Sequence, residues 1–284
     1  MIHKYSLNGY HIVLDVNSGA VHVMEKLPFR MLDYLEDSVP DTMPQKLLDE
    51  LSSQYSREEI EENYADLLEL YRSGMLFSSD EYEKFADMMV AAPVKAMCLN
   101  VAHDCNLRCE YCFAAKGDFG CGRMLMPFEV GKKAIDFLIE KSVGRRNLEV
   151  DFFGGEPLMN FDVVKQIVEY ARSQEKEHGK NFRFTITTNG LLLTDDKIDF
   201  INREMSNVVL SIDGRKEVND RLRVRVDGTG CYDKIVPAYQ KLVANRSKDK
   251  DYYARGTFTK YNLDFTDDVL HMADLGFDQL SIEP

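Results

Sequence analysis

Apolar positions along the first 80 residues follow two rhythms in succession. Residues 4–7, 11–15 and 21–25 form short apolar-rich runs that predict three strands. Asn8 with Gly9, and Asn17 with Gly19, separate them as turn sequences, because Asn and Gly tolerate positive φ. A helical rhythm then takes over. Residues 27–37, led by Pro28, predict one helix and residues 44–54 a second. Ser56 with Glu59 forms a capping box that opens a third helix, running to about Ser73 with Ile60, Tyr64, Leu67, Leu68 and Tyr71 at helical spacing. Gly74 stops it. Residues 81–92 predict a linker helix, and Pro93 marks the boundary. The organisation expected is therefore a small α+β domain over 1–80, a linker over 81–93 and a second domain over 94–284.

From residue 95 the rhythm alternates. Strands are predicted at 95–101, 148–153, 182–188, 207–212, 253–259 and 279–282. Helices are predicted between them at 128–142, with Pro127 at its start, and at 162–177, 195–202, 232–243 and 265–275. Repeated strand–helix units give an α/β domain with a parallel sheet and right-handed crossovers. Functional loops in such folds sit at the C-terminal ends of the strands.

At 284 residues, 44% hydrophobic and 29% charged, the chain reads as globular. No apolar run approaches the ~20 residues of a membrane span, and the N-terminus lacks the apolar core of a signal peptide. Six cysteines in this length do not make a disulfide scaffold, so a reducing, cytoplasmic setting is expected. Net charge is −13, unevenly placed. Residues 1–90 carry 18 acidic and 7 basic side chains, and residues 91–284 carry 30 and 28. An acidic first third argues against nucleic acid as its partner and allows a basic peptide, although a solubilising surface explains the charge equally well.

Candidate chemistry concentrates where the first strand of the second domain ends. Cys105, Cys109 and Cys112 are spaced C-x-x-x-C-x-x-C. Thiolates select iron–sulfur clusters or zinc over hard cations. No Cys or His follows at a conventional offset to complete a four-ligand site. A three-thiolate cluster with one open iron fits that pattern; a zinc knuckle or unligated thiols are the plain alternatives. Gly154, Gly155, Glu156 and Pro157 follow the second strand, where two glycines let backbone approach a ligand and Glu156 offers a carboxylate to an amino group. Asn189 ends the third strand, and Ser211 and Asp213 end the fourth. Each is a short polar side chain able to bond a ribose or carboxylate, or simply to serve a turn. Arg223 is a side chain able to bind a carboxylate bidentately, or equally a solvated surface charge.

The cysteine triplet with these motifs resembles the radical S-adenosylmethionine (SAM) enzymes. The resemblance implies a partial (β/α)6 TIM-like barrel in which Cys105, Cys109 and Cys112 hold a [4Fe–4S] cluster. It implies that SAM chelates the open iron and is reductively cleaved to methionine and a 5′-deoxyadenosyl radical. It places Gly154, Gly155, Glu156 and Pro157 at the methionine amine, and Asn189, Ser211, Asp213 and Arg223 around SAM. Tyr111 matches an aromatic near the adenine, and Phe113 is a second candidate. Of the other cysteines, Cys98 is expected to be a buried small hydrophobe, Cys121 lies in a flexible loop and Cys231 opens a helix; none is read as a fourth ligand.

The three strands and three helices of residues 1–80 resemble the RiPP recognition element, a winged-helix-like module. That implies a leader peptide adding as a strand beside the third strand, in a groove lined by Val21, Val23, Ile60, Tyr64, Leu67, Leu68 and Tyr71. A structural cap whose apolar stripe is core is the alternative. Together the motifs resemble SPASM-type peptide maturases, nearest the SCIFF maturases, which form a Cys-to-Thr thioether in a ribosomal peptide after abstraction of the threonine Cα hydrogen. The partners implied are a precursor peptide with a basic leader and an external one-electron donor, with no nucleic acid and no membrane. The family's auxiliary [4Fe–4S] clusters belong to a C-terminal part. Residue 284 follows directly on the sixth strand, so a fragment of a longer protein is expected, with those clusters outside it. A sulfatase-maturase-like, formylglycine-forming enzyme and a non-enzymatic Fe–S or zinc peptide-binding protein are the competing readings. No residue is assigned as proton acceptor.

Overall fold

Asn8 and Gly9, at φ 51° and 84°, turn strand β1 (Ile2–Leu7) back onto β2 (Tyr10–Asp15). This computed structural model describes residues 1–90 and 92–284. Strand β3 (Val21–Met24) pairs with the other side of β2, so the antiparallel order is β1-β2-β3. Helices α1 (Lys26–Met31), α2 (Gln45–Leu51) and α3 (Arg57–Arg72) follow. The capping box is formed: the Glu59 N–H donates to Ser56 Oγ at 3.2 Å and the Ser56 N–H to the Glu59 carboxylate at 2.8 Å. The first helix is shorter than its apolar pattern suggested. It passes into a 3-10 turn at Leu32–Tyr34, and Leu35 is extended. Residues 83–85 form another 3-10 turn, and α4 is Ala86–Val90. Ala91, within the predicted linker helix, lies outside the described residues.

The core beneath this sheet contains Val13, Met31, Leu47, Leu51, Ile60, Tyr64, Leu67 and Leu76. That corrects the groove expected from sequence. Ile60, Tyr64 and Leu67 are the inward stripe of α3 and are no more than 5% exposed, so they are packed away from any ligand. Leu68 and Tyr71 are partly buried against the same core. Val21 and Val23 are 64% and 66% exposed, on the face of β3 that alternation turns outward.

In the second unit, Pro93–Pro284, the strands are β4 (Ala96–His103), β5 (Met124–Leu125), β6 (Asn147–Gly154), β7 (Asn181–Thr188), β8 (Met205–Ser211), β9 (Asp251–Thr257) and β10 (Leu280–Glu283). The helices are α5 (Phe128–Lys141), α6 (Phe161–His178), α7 (Asp195–Glu204), α8 (Lys216–Leu222), α9 (Tyr232–Ala244) and α10 (Phe265–Asp274). The sheet order is β5-β4-β6-β7-β8-β9-β10. Its six long-range partners from β4 to β10 are parallel and follow chain order, and β5 is antiparallel at the β4 edge. This is the open, TIM-like arrangement expected. β5 and α8 were not predicted: two residues are too few to show alternation, and α8 is polar over most of its seven residues. Strand alternation buries Phe182, Phe184 and Ile186 of β7 in the core and leaves Thr185 and Thr187 on the opposite face. Among the described residues no helix is long and apolar enough to cross a membrane.

Asp15 locks the first unit. It is fully buried and accepts from Ser18 N–H at 3.0 Å, Ser18 Oγ at 2.9 Å, Ser78 N–H at 2.9 Å and the Ser78 hydroxyl. Burial alone would raise its pKa, but these donors overcome it and hold the carboxyl well below the usual range. Asp15→Asn sets an amide donor against those N–H groups, with an expected loss of about 1–3 kcal/mol. The folded pKa lies below the unfolded value of about 3.9, so the stabilisation is complete above that pH and fades as pH falls below it. Urea titrations across this range should show an acid-side loss in the native protein that Asp15→Asn lacks; equal stability of the two at neutral pH would refute the role.

Candidate active site

The loop after β4 carries the three cysteines. Asp104 starts it by accepting from the Cys105 N–H at 2.8 Å. The Leu107 N–H points at Cys105 Sγ at 3.4 Å, and the Arg108 guanidinium donates to the carbonyls of Cys105 and Leu107. The loop's outer edge pairs with the chain after α8: Arg108 N–H donates to Val224 O at 2.7 Å and Glu110 N–H to Leu222 O at 3.0 Å. Gly117 brings the chain back so closely that a Cβ there would lie 2.6 Å from Cys105 Cβ.

The turn after β6 lies against this loop. Gly155 N–H donates to Ala102 O at 2.7 Å, and Glu156 N–H to Asp104 O at 2.9 Å. A Cβ on Gly155 would sit 2.2 Å from Asp104 O, which explains the glycine. The Glu156 side chain points inward and is 1% exposed. It accepts from Thr188 Oγ1 at 2.7 Å, Asn189 N–H at 2.8 Å and Leu158 N–H at 3.0 Å. Burial pushes the Glu156 pKa up, against the pull of these donors. The Asn189 amide, placed by that contact, donates to Asn106 Oδ1 at 2.7 Å and reaches Cys105 Sγ at 3.6 Å.

Cys105, Cys109, Cys112, Tyr111, Phe113, Gly154, Gly155, Asn189, Ser211 and Arg223 all line one cavity of about 670 Å³. Three of the expected ligand residues do not. Glu156 and Pro157 are turned into the body of the domain, because the carboxylate is consumed by its three donors. Asp213 is 1% exposed, accepts from Tyr111 Oη at 2.7 Å and Thr257 N–H at 3.1 Å, and therefore acts behind the cavity wall. Arg223 Nη1 donates to the same Tyr111 oxygen at 2.7 Å, and its guanidinium lies 3.9 Å from Asp213. Burial, with Asp213 and Cys109 close by, pushes the Tyr111 phenol far above its ordinary pKa despite Arg223, so it is a neutral donor.

The cavity also has a wall that the sequence reading missed: Arg255, Thr257 and Thr259 at the end of β9, with Glu283 of β10. The usable signal was the period-two polar run 255, 257, 259, with Arg255 in register beside Ser211. Cys98 is exposed, contrary to expectation, because Leu99 and Val101 take the core-facing positions of β4. Cys231 caps α9, buried, between the Asn219 amide at 3.3 Å and Arg223 O at 3.4 Å. Cys121 is exposed.

These residues fit a soft, cationic metal centre and a carboxylate-bearing cofactor. Burial, helped by Glu156, pushes the Cys105 thiol up to about 12, and burial also raises Cys109. Thiols so placed are inert until a metal supplies the charge that stabilises thiolate. Among the described residues no three His, Cys, Asp or Glu side chains are grouped as a single ion needs; the thiols are spread along the cavity wall. Among the described residues Arg223 Nε is buried with no partner, a donor that a carboxylate would satisfy.

A cysteine loop and a glycine turn share one cavity at the C-terminal ends of an open parallel sheet, where α/β enzymes carry their sites. Residues 99–275 match the Radical SAM superfamily, and the chain belongs to that superfamily. Its cofactors are accordingly a [4Fe–4S] cluster and SAM. It is 33% identical over 135 residues to the uncharacterized protein MJ0907 of Methanocaldococcus jannaschii, covering 48% of this chain and 44% of that one. It is 22% identical over 283 residues to the radical SAM cyclopropyl synthase TigE of Paramaledivibacter caminithermalis, covering 92% and 57%. A cysteine-type anaerobic sulfatase-maturating enzyme of Clostridium novyi is 28% identical over 137 residues, covering 47% and 36%. The chain thus spans about half the length of the curated relatives it matches. The solved structure of anSMEcpe with bound AdoMet shares the fold, with TM-score 0.59, 19% identity, and coverage of 67% of this chain and 51% of that one.

Gly155→Ala forces a Cβ into the Asp104 carbonyl and displaces the cysteine loop. After anaerobic reconstitution, iron and acid-labile sulfide should fall several-fold while far-UV circular dichroism is unchanged; native-level iron loading would contradict this account of the turn.

Proposed function

We propose that this protein is a leader-guided radical SAM maturase that forms a Cys-to-Thr thioether in a ribosomally made peptide. The observation that carries the peptide-maturase reading is the TigE alignment over 92% of the chain, which takes in the first unit as well as the barrel. The sulfatase-maturase matches cover only 47% and 54% of the chain. The position of β3 at the end of its sheet, with Val21 and Val23 exposed, supports leader docking by strand addition. The acidic surplus of residues 1–90 favours a basic leader.

When bound, the cluster and SAM supply a hydrogen-abstracting radical. The protein's part is to hold and orient. Cys105, Cys109 and Cys112 provide the thiolates. Gly154 and Gly155 give backbone access without side-chain bulk. Arg223 offers its Nε to a carboxylate, while Tyr111, braced by Asp213, fixes the guanidinium. Asn189 and Ser211 present polar groups to the ribose and carboxylate. Phe113, 81% exposed and stacked on Phe153 at 6.2 Å, forms an apolar rim. Abstraction at the threonine Cα and coupling of the cysteine sulfur to that carbon removes two hydrogens from the peptide, so an electron acceptor is required. In the reading adopted here that role falls to an electron acceptor other than the cluster held by Cys105, Cys109 and Cys112.

Anaerobic reconstitution, dithionite reduction and addition of SAM should yield 5′-deoxyadenosine, and Cys105→Ala, Cys109→Ala or Cys112→Ala should each abolish it. A loaded protein that releases none sinks the radical SAM chemistry proposed here. With a Cys- and Thr-containing precursor peptide and a one-electron acceptor present, the product should lose two hydrogens and no longer react with iodoacetamide at the crosslinked cysteine. Loss of hydrogen with the thiol still alkylatable would replace the thioether by a carbon–carbon product.

Val21→Lys with Val23→Lys should weaken leader binding about tenfold or more, by removing the apolar contacts of the docking edge and setting positive charge against a basic leader. SAM cleavage without peptide should be untouched. Unchanged peptide affinity, measured by fluorescence anisotropy, would move leader recognition elsewhere.

A further inference from the structure

The sheet face that walls the cofactor cavity continues below it. Phe152, Phe184 and Val208 turn toward the helices and join the core. Phe153, Thr187 and Ser211 turn the other way and line the cavity. Asp151 and Thr185 stand on that same face two residues earlier in β6 and β7, about 7 Å lower at the rise of a strand. Asp151, Thr185 and Asn207 are in register across β6, β7 and β8. Cys98 of β4 is in register with Asp151 on its other side.

Charges on this face are paired, with one exception. Glu149 meets Lys95 at 3.0 Å, Asp251 meets Arg183 at 3.9 Å, and Glu283 meets Arg255. Among the described residues the half-buried Asp151 has no ion pair, and its Oδ1 is buried without a hydrogen bond. Asn207 Oδ1, in the same row, is a second buried acceptor without a partner. Burial raises the Asp151 pKa, and Arg255 pulls it back. Glu156 and Asp213 show the contrast, since each is filled by donors from its own chain. A peptide laid over Asp151 strips its remaining water, and a carboxylate so stripped needs a counter-charge. Tyr253, 41% exposed, adds an aromatic ring to this face in register with Val209, two residues beyond Asn207. A charged acceptor, an amide acceptor and an aromatic ring suit a cationic side chain, which brings both a charge and several N–H donors.

We propose that this face, one pleat below the cofactor cavity, is a subsite for a lysine or arginine side chain of the peptide substrate, held by Asp151 with Asn207. The proposal rests on the reading of this protein as a peptide-modifying enzyme, and not on the thioether. It gives the residues next to the reacting position a selection of their own, separate from leader docking on the first unit.

Cys98 is an exposed reporter beside Asp151. Its reaction in the reconstituted protein, held to low conversion and mapped by mass spectrometry, is compared for two methanethiosulfonates, one carrying trimethylammonium and one carrying sulfonate. The native protein should favour the cationic reagent, and Asp151→Asn should reduce that preference about tenfold. Exposed Cys121 is the reference within the same sample, and its preference should not move. In a second measurement, millimolar Nα-acetyl-lysine methylamide should slow alkylation of Cys98 by uncharged iodoacetamide several-fold. Nα-acetyl-norleucine methylamide, which lacks only the ammonium, should not, and Asp151→Asn should lose the lysine effect. The proposal is overturned if Asp151→Asn leaves the reagent preference at Cys98 unchanged, or shifts it equally at Cys121. It is also overturned if the norleucine compound protects Cys98 as well as the lysine compound does. Neither readout uses SAM or turnover. A protein that gives both expected results yet modifies no peptide would overturn the peptide-modifying reading, and with it the assignment of this cation site to a substrate.

Discussion

The Glu156 carboxylate is the tie on which the site depends. Its backbone N–H fastens the turn after β6 to Asp104, at the root of the cysteine loop. Its side chain fastens the same turn to Thr188 and Asn189 at the end of β7. Charge-assisted bonds of this kind contribute about 1.5–3 kcal/mol each, against the several kcal/mol that burying a carboxylate costs. The balance holds only while all three donors are present, so three strand ends are held in one arrangement. Thr188 takes part twice, donating to Glu156 and accepting from the Gly190 N–H at 3.0 Å.

A second buried tie works from the other side. Asp213 joins β8 to β9 through the Thr257 N–H and holds Tyr111, and Tyr111 holds Arg223. Asp213 is pushed upward in pKa by burial, and Arg223 and Tyr111 pull it back. Both carboxylates thus serve as scaffolding, and the groups left for ligands are thiols, backbone, amide, hydroxyl and guanidinium. This division explains why the Nε of Arg223 stands out among the described residues: its neighbours are committed to one another, and that donor is not.

The sequence carried most of the second unit. Alternating strand and helix signals, and motifs at each strand end, located the parallel sheet and the cavity, because both depend on local periodicity and on residue types unusual enough to be read in isolation. Short elements such as β5 and α8 were invisible, since each exists only through contacts with a distant partner: Leu125 with Ala102, and Arg215 at the start of α8 with Asp268 at 2.8 Å. In the first unit the helical stripe was read correctly as a stripe, yet its use was not. Ile60, Tyr64 and Leu67 have the same spacing whether they face a ligand or a core.

What the sequence determined by itself was the donor chemistry: three thiols at a spacing one loop can satisfy, glycines where backbone must approach, and the order of strands that brings them to one end of a sheet. What only the tertiary structure decided was direction. Whether Glu156 and Asp213 turn toward the cavity or behind it depends on where Thr188, Asn189, Tyr111 and Thr257 place their donors, and those lie 32 to 102 residues away in the chain. A carboxylate at a strand end is equally suited to a ligand or to a buried set of N–H and O–H groups, and only the folded neighbours settle which it meets.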